Sequence, residues 1–86
     1  MNEFEMDKER FGAFVAGERR RLGVTQRELA QRLFISDKAV SKWERGLSLP
    51  DVSLLIPLAE LLGVTVTELL EGRRLERSGE MEVEQV

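Results

Sequence analysis

The stretch Ser36-Asp-Lys-Ala-Val-Ser-Lys-Trp-Glu-Arg-Gly46 decides how the chain is organised. Ser36 is a strong N-cap, because its hydroxyl can accept from a backbone N–H one turn on, and Gly46 supplies the positive-φ residue that ends helices. Between these limits Val40 and Trp43 stand three residues apart on one face, while Asp37, Lys38, Ser41, Lys42 and Arg45 fall on the opposite side. The spacing predicts a short amphipathic helix that packs by one face and presents the other outward.

Immediately upstream, Thr25-Gln-Arg-Glu28 is a capping box in which Thr25 caps a new helix and Glu28 reaches back to the Thr25 N–H. That helix runs through Leu29, Ala30 and Leu33 and has to turn at Phe34-Ile35, because Ser36 begins again. Two short helices joined by a tight turn make a helix-turn-helix.

The separated elements Val24-Thr-Gln-Arg-Glu-Leu-Ala30, Ile35-Ser36, Val40-Ser-Lys-Trp-Glu-Arg-Gly46 and Leu49-Pro-Asp51 occur in one order that resembles the lambda-repressor-like (Xre-type) DNA-binding domain, over roughly residues 8 to 72. The resemblance implies an all-α, compact five-helix domain that binds double-stranded DNA and regulates transcription in a repressor-like way. It also implies a structural pair, Arg19 with Glu44, because the resembled repressors carry an Arg and a Glu there that bond beneath the motif. Gln26 matches the family's phosphate-contacting glutamine.

Composition sets the outer limits. With 86 residues, 42% of them hydrophobic, the chain is sized for one small domain. It has no cysteine and no histidine, which removes thiolate and imidazole chemistry and disfavours an enzyme, a metal site or a cofactor. No run approaches the ~18 apolar residues of a membrane span, and Glu3, Glu5 and Asp7 give the N-terminus the wrong sign for a signal peptide. The expectation is a cytoplasmic protein with no membrane partner.

A formal charge of −3 opposes nucleic-acid binding only as a sum, because residues 8 to 45 hold ten Lys/Arg against five acids. A helix fits the major groove, where base pairs differ in donor and acceptor pattern and the first residues of the reading helix meet base edges. Asp37, Lys38, Ser41 and Lys42 are therefore the expected base contacts. Thr25, Gln26, Ser36 and Arg45, at helix ends and loops, are the expected phosphate contacts. Trp43 shares the inner face with Val40 and is expected in the core.

Outward from the motif, Asp7 is placed to cap a first helix with Phe11, Phe14, Val15 and Leu22 near one face, closed by Gly23. Gly12 and Gly17 each cost that helix about 1 kcal/mol relative to alanine, so tertiary packing has to hold it. Ala30 should mark the crossing of the two motif helices. Phe34 departs from the small or turn-prone residue often found there, and is expected to cover the edge of the core; a positive φ would strain it.

Leu54, Leu55, Leu58, Ala59, Leu61 and Leu62 form the apolar side of a fourth helix, tolerating Pro57 if Asp51 or Ser53 caps it. Thr65-Val-Thr-Glu68 is a second capping box and opens a fifth helix before Gly72. Residues 1–6 are expected to be a disordered N-terminal segment, 7–72 the domain, and 73–86 a tail in which arginines give way to Glu80, Glu82 and Glu84 among Met81, Val83 and Val86. A homodimer on two half-sites is the expected assembly. The alternative is a protein-interaction module on the same scaffold, an antitoxin or bridging factor, using Leu47, Leu49, Val66 and the tail apolars as its patch.

Overall fold

In the computed structural model, which describes residues 6–75, five α-helices follow one another: α1 Lys8–Arg21, α2 Gln26–Leu33, α3 Asp37–Glu44, α4 Leu55–Leu62 and α5 Val66–Glu71. The all-α, five-helix expectation holds. Each boundary has a local cause. The Asp7 carboxylate accepts from the N–H groups of Glu9 and Arg10, and both capping boxes, at Thr25 and Thr65, are closed in both directions. Ser36 accepts from the Ala39 N–H, and the chain leaves α3 through Arg45 and Gly46.

The approach to α4 explains the tolerated proline. Asp51 caps a single 3₁₀ turn, Val52–Leu54, that feeds into α4. Pro57 is the third residue of α4, within the first turn, where backbone N–H groups lack intrahelical partners and the ring displaces nothing.

Helix α1 is the spine: it packs against α3, α4 and α5, while α2 packs on α3 and α4. The core joins Phe11 and Val15 of α1 with Leu29, Ala30 and Leu33 of α2, Val40 and Trp43 of α3, Leu58, Ala59 and Leu62 of α4 and Leu69 of α5. Gly12, counted only as a loss of helix propensity, is where α1 and α3 touch. A Cβ there would overlap the Trp43 carbonyl oxygen and come within 2.9 Å of the Glu44 carbonyl oxygen. Removing a side chain lets the two backbones close up.

Some expectations need correction. Phe34 does not cover the core edge: it is 95% exposed, and as the C-cap of α2 it holds φ 60°, the one positive-φ non-glycine residue among those described. The chain has to reverse there so that the Phe34 and Ile35 N–H groups close on carbonyls of α2, and that left-handed geometry swings the side chain off the core. Leu22 is likewise exposed, because the helix ends before its register returns to the inner face. Leu49 and Val66 pack against the core instead of forming an outward patch with Leu47.

Two carboxylates, Glu18 and Glu68, are buried, and from the sequence Glu68 has only its capping role and Glu18 has none. Glu18 accepts from Arg21, one turn on, and from Arg74 (2.8 and 3.0 Å). Glu68 accepts from the Thr65 N–H and, across the end of α5, from the Leu75 N–H. Together they tie Arg74 and Leu75 to α1 and α5, so the first residues assigned to the tail are held against the domain; Met6, assigned to the N-terminal segment, packs against the core. Residues 1–5 and 76–86 lie outside the described part, and the expectations about them with them. No helix among the described residues is long and apolar enough to cross a membrane.

Candidate nucleic-acid interface

Helix α3 is held from beneath so that its outer face is free. Val40 and Trp43, both buried, seat it on the core. Its last residue, Glu44, receives two hydrogen bonds from Arg19 of α1, Nε to Oε2 at 2.7 Å and a terminal guanidinium nitrogen to Oε1 at 3.0 Å. Arg19 also donates to the Val24 carbonyl oxygen at 2.9 Å, which fixes the loop entering α2. The charge-assisted hydrogen bonds to Glu44 raise the Arg19 pKa above its already high ordinary value. One pair thus positions α3 and the start of α2 together.

Gln26 joins this cluster. Its amide Nε2 donates to Glu44 Oε1 at 2.8 Å, leaving one amide N–H and the carbonyl oxygen unused by that bond. The residue expected at a phosphate is therefore also a brace, half-buried at the first position of α2. Thr25 uses its hydroxyl oxygen and its backbone N–H in the capping box with Glu28, so only its hydroxyl proton is left to donate outward.

On the outer face Asp37, Lys38, Lys42 and Arg45 are exposed and Ser41 is half-buried. Ser36, Lys38 and Lys42 come together along one wall of a groove of about 490 Å³; Ser48, Leu49, Pro50 and Asp51 form the other, with Ile35 and Ala39 between. The loop wall was missed in the sequence. Residues 47–51 carry turn chemistry but no periodicity, and only the tertiary fold sets them beside α3. Asp51 doubles as cap and wall; hydrogen bonds from the Ser53 hydroxyl and backbone N–H hold its carboxyl below the usual aspartate range.

Arg45, at the end of α3, donates from Nε to the Ser41 hydroxyl at 3.3 Å. Its guanidinium leans back along the outer face, keeping the terminal nitrogens available. The two sets of expected contacts are thus adjacent on one surface: Asp37, Lys38, Ser41 and Lys42 along α3, with Ser36 and Arg45 at its ends and Thr25 and Gln26 at the start of α2.

Comparison with known proteins gives this arrangement its context. A curated relative, the HTH-type transcriptional activator BcrR of Enterococcus faecalis, is 40% identical over 52 residues, covering 60% of this chain and 26% of its own length. The chain thus spans about a quarter of that relative. Among solved structures, the clp gene regulator ClgR of Corynebacterium glutamicum superposes with a TM-score of 0.70 at 29% identity, over 96% of this chain and 84% of that one. The P22 c2 repressor in complex with a synthetic operator gives 0.69 at 29%, over 72% and 94%. The Helix-turn-helix family model, HTH_3, matches residues 17–69, and with it α2, α3, the Arg19–Glu44 brace and the lambda-repressor-like fold: the chain belongs to the Helix-turn-helix family.

Proposed function

We propose that the protein is a transcriptional regulator that binds double-stranded DNA by placing α3 in the major groove, and that it acts in the cytoplasm, as a homodimer and without enzymatic activity. The observation that carries this reading is the clamped α3, with Val40 and Trp43 buried on one side, Asp37, Lys38 and Lys42 exposed on the other, and its end locked by Arg19. A helix held in this way can enter a groove without rearranging. Similar proteins support it: a transcriptional activator, a gene regulator and a repressor in complex with a synthetic operator.

Within that reading Lys38 and Lys42 donate to guanine O6 and N7, with Ser41 assisting, and Asp37 accepts from cytosine N4 or repels phosphate and so excludes wrong registers. Thr25, Gln26, Ser36 and Arg45 fix the register on the sugar-phosphate chain. The proposed DNA-binding domain is residues 7–72, with Met6, Arg74 and Leu75 held against it. A single reading helix covers only part of a site, which is why two copies related by a two-fold axis are proposed.

Selection from random duplexes tests the reading. It should return a sequence with two symmetric half-sites about one or more helical turns apart, bound with an affinity that falls steeply as salt rises. An unenriched pool, with binding insensitive to salt, rejects DNA reading. A lone asymmetric half-site bound one to one rejects the dimer.

A further inference from the structure

The outer face of α3 carries one acid and two bases whose side chains, Asp37, Lys38 and Lys42, have no hydrogen-bond or ion-pair partner among the described residues. Asp37 and Lys38 are neighbours in sequence, yet helix geometry keeps them apart, because consecutive residues point about 100° away from each other. The carboxylates nearer the brace are committed: Glu44 to Arg19 and Gln26, and Glu28 to the cap of α2.

The two signs lie on opposite flanks of the helix. Asp37, Ser41 and Glu44 follow at intervals of four and three residues and so share one flank. Glu44 is bonded to Gln26, which makes this the flank beside α2. Lys38 and Lys42, four residues apart, share the other flank and line the groove opposite Ser48, Leu49 and Pro50. Helix α3 therefore has a free acceptor on its α2 side and free donors on its loop side. Ser41 has no fixed sign, since its oxygen accepts from Arg45 while its own proton can still be donated.

A G·C pair is divided in the same way. Across the major groove guanine presents two acceptors, N7 and O6, on the side of its own strand, and cytosine presents the N4 donor on the side of the other. A helix of about 10–12 Å diameter fills a groove about 12 Å wide, so its two flanks meet the edges of opposite strands. With the loop flank over guanine, Lys38 donates to N7 and O6 while Asp37 accepts from N4 of the paired cytosine. Inverting the pair sets the carboxylate against O6 and the ammonium against an amine, and both contacts become repulsive. The nearest alternative is thymine under Lys38, which offers one acceptor beside a methyl group and places adenine N7 near the carboxylate.

We propose that Asp37 and Lys38 read one G·C pair jointly, from both strands, and that Lys42 reads a second guanine on the same strand as the first. Four residues of helix advance about 6 Å, against about 3.4 Å per base pair, which places the second guanine one or two pairs further on. Each half-site thus carries its guanines on one strand, the strand on the side of residues 48–51, and a two-fold axis moves them to the opposite strand in the other half-site. This rests on the DNA-reading assignment of α3 and selects, between the two roles given to Asp37, the base contact over phosphate exclusion.

The test uses the full chain and a random-sequence duplex pool, with selection repeated for Asp37→Ala, Lys38→Ala and Lys42→Ala. Asp37→Ala and Lys38→Ala should relax preference at the same base pair, and Lys42→Ala at another, one or two pairs away. With the unchanged protein on the selected duplex, inverting the first pair should weaken binding by about tenfold or more. Replacing guanine by 7-deazaguanine, which lacks N7, should weaken binding by about three- to tenfold on the guanine-bearing strand of a half-site and have no effect on its other strand. The modified duplexes need no change in the protein, so this arm does not depend on any variant folding.

Relaxation at different base pairs in Asp37→Ala and Lys38→Ala overturns joint reading. If Asp37→Ala binds every duplex more tightly with its preference unchanged, Asp37 is a phosphate repeller and the proposal fails. If a sequence is enriched but 7-deazaguanine has no effect on either strand, the lysines are phosphate anchors: the DNA reading stands and the joint reading is overturned. A pool that stays unenriched overturns both.

Discussion

Arg19 of α1 and Glu44 of α3 meet through two hydrogen bonds, with only 12% and 5% of their side chains exposed, and Gln26 of α2 adds a third bond to the same carboxylate. Three helices are thereby fastened at one point beneath the outer face of α3. A pair this enclosed gains little over apolar isosteres, but loss of one partner strands a charge. Arg19→Ala and Glu44→Ala should therefore each be costly and the double variant less than additive, with a coupling of about 1–3 kcal/mol in thermal or denaturant unfolding. Additive losses would show that the two side chains do not act together.

Gln26→Ala should weaken DNA binding evenly across operator sequences, because a phosphate contact carries no base preference. The bond to Glu44 adds a small structural cost of about 0.5–1.5 kcal/mol, measurable as a lower unfolding midpoint in the absence of DNA. A loss of affinity confined to particular operators would place Gln26 among the base readers.

Lys38 and Arg45 should separate when each is changed to alanine. Lys38→Ala is expected to cost about 1–3 kcal/mol on the best operator and to relax preference at one base pair. Arg45→Ala should weaken all duplexes alike and flatten the salt dependence by about one phosphate contact. Matching behaviour of the two variants would make Lys38 an anchor.

The two glycines of α1 should respond to alanine with opposite sign. Gly17 has nothing within 4 Å of an added Cβ, so Gly17→Ala should stabilise by up to about 1 kcal/mol through helix propensity. Gly12→Ala forces a methyl into the Trp43 carbonyl and should destabilise by about 2 kcal/mol or more, despite the same gain in propensity. Chemical denaturation of the pair reads both.

At Phe34 the left-handed backbone costs about 1–2 kcal/mol in a residue with a Cβ, and an exposed ring contributes little packing in return. Phe34→Gly should raise the melting temperature, the relief being offset in part by the greater backbone freedom of glycine in the unfolded chain. A fall in melting temperature would mean that the ring makes a stabilising contact.

Glu18 provides the pH dependence. Hydrogen bonds from Arg74 and then Arg21 hold its carboxyl below the ordinary glutamate range, against the opposing effect of burial. A folded-state pKa below the unfolded one stabilises the protein above the unfolded value, and that stability is lost as pH falls through the folded value. Acid titration of stability should therefore show a loss below the usual glutamate range that Glu18→Gln reduces. The same variant should loosen Arg74, visible as faster hydrogen exchange at Leu75.

What the sequence determined by itself is what depends on neighbours a few residues away. Asp7, Thr25, Ser36 and Thr65 each cap a helix with atoms two or three positions on, so spacing alone located the starts of four helices, and the three-residue interval from Val40 to Trp43 told the inner face of α3 from the outer. The motif was legible for the same reason, and the Arg19–Glu44 pair through the resemblance that the motif carried. The tertiary structure decided whatever joins residues far apart in the chain. Gly12 as a contact with Trp43, Glu18 as the seat of Arg74, the second role of Gln26 and the loop wall opposite Lys38 and Lys42 all arise only when distant segments pack. No local pattern records them, because the energies that select them, steric exclusion between backbones and the pairing of a buried charge, act across space and not along the chain.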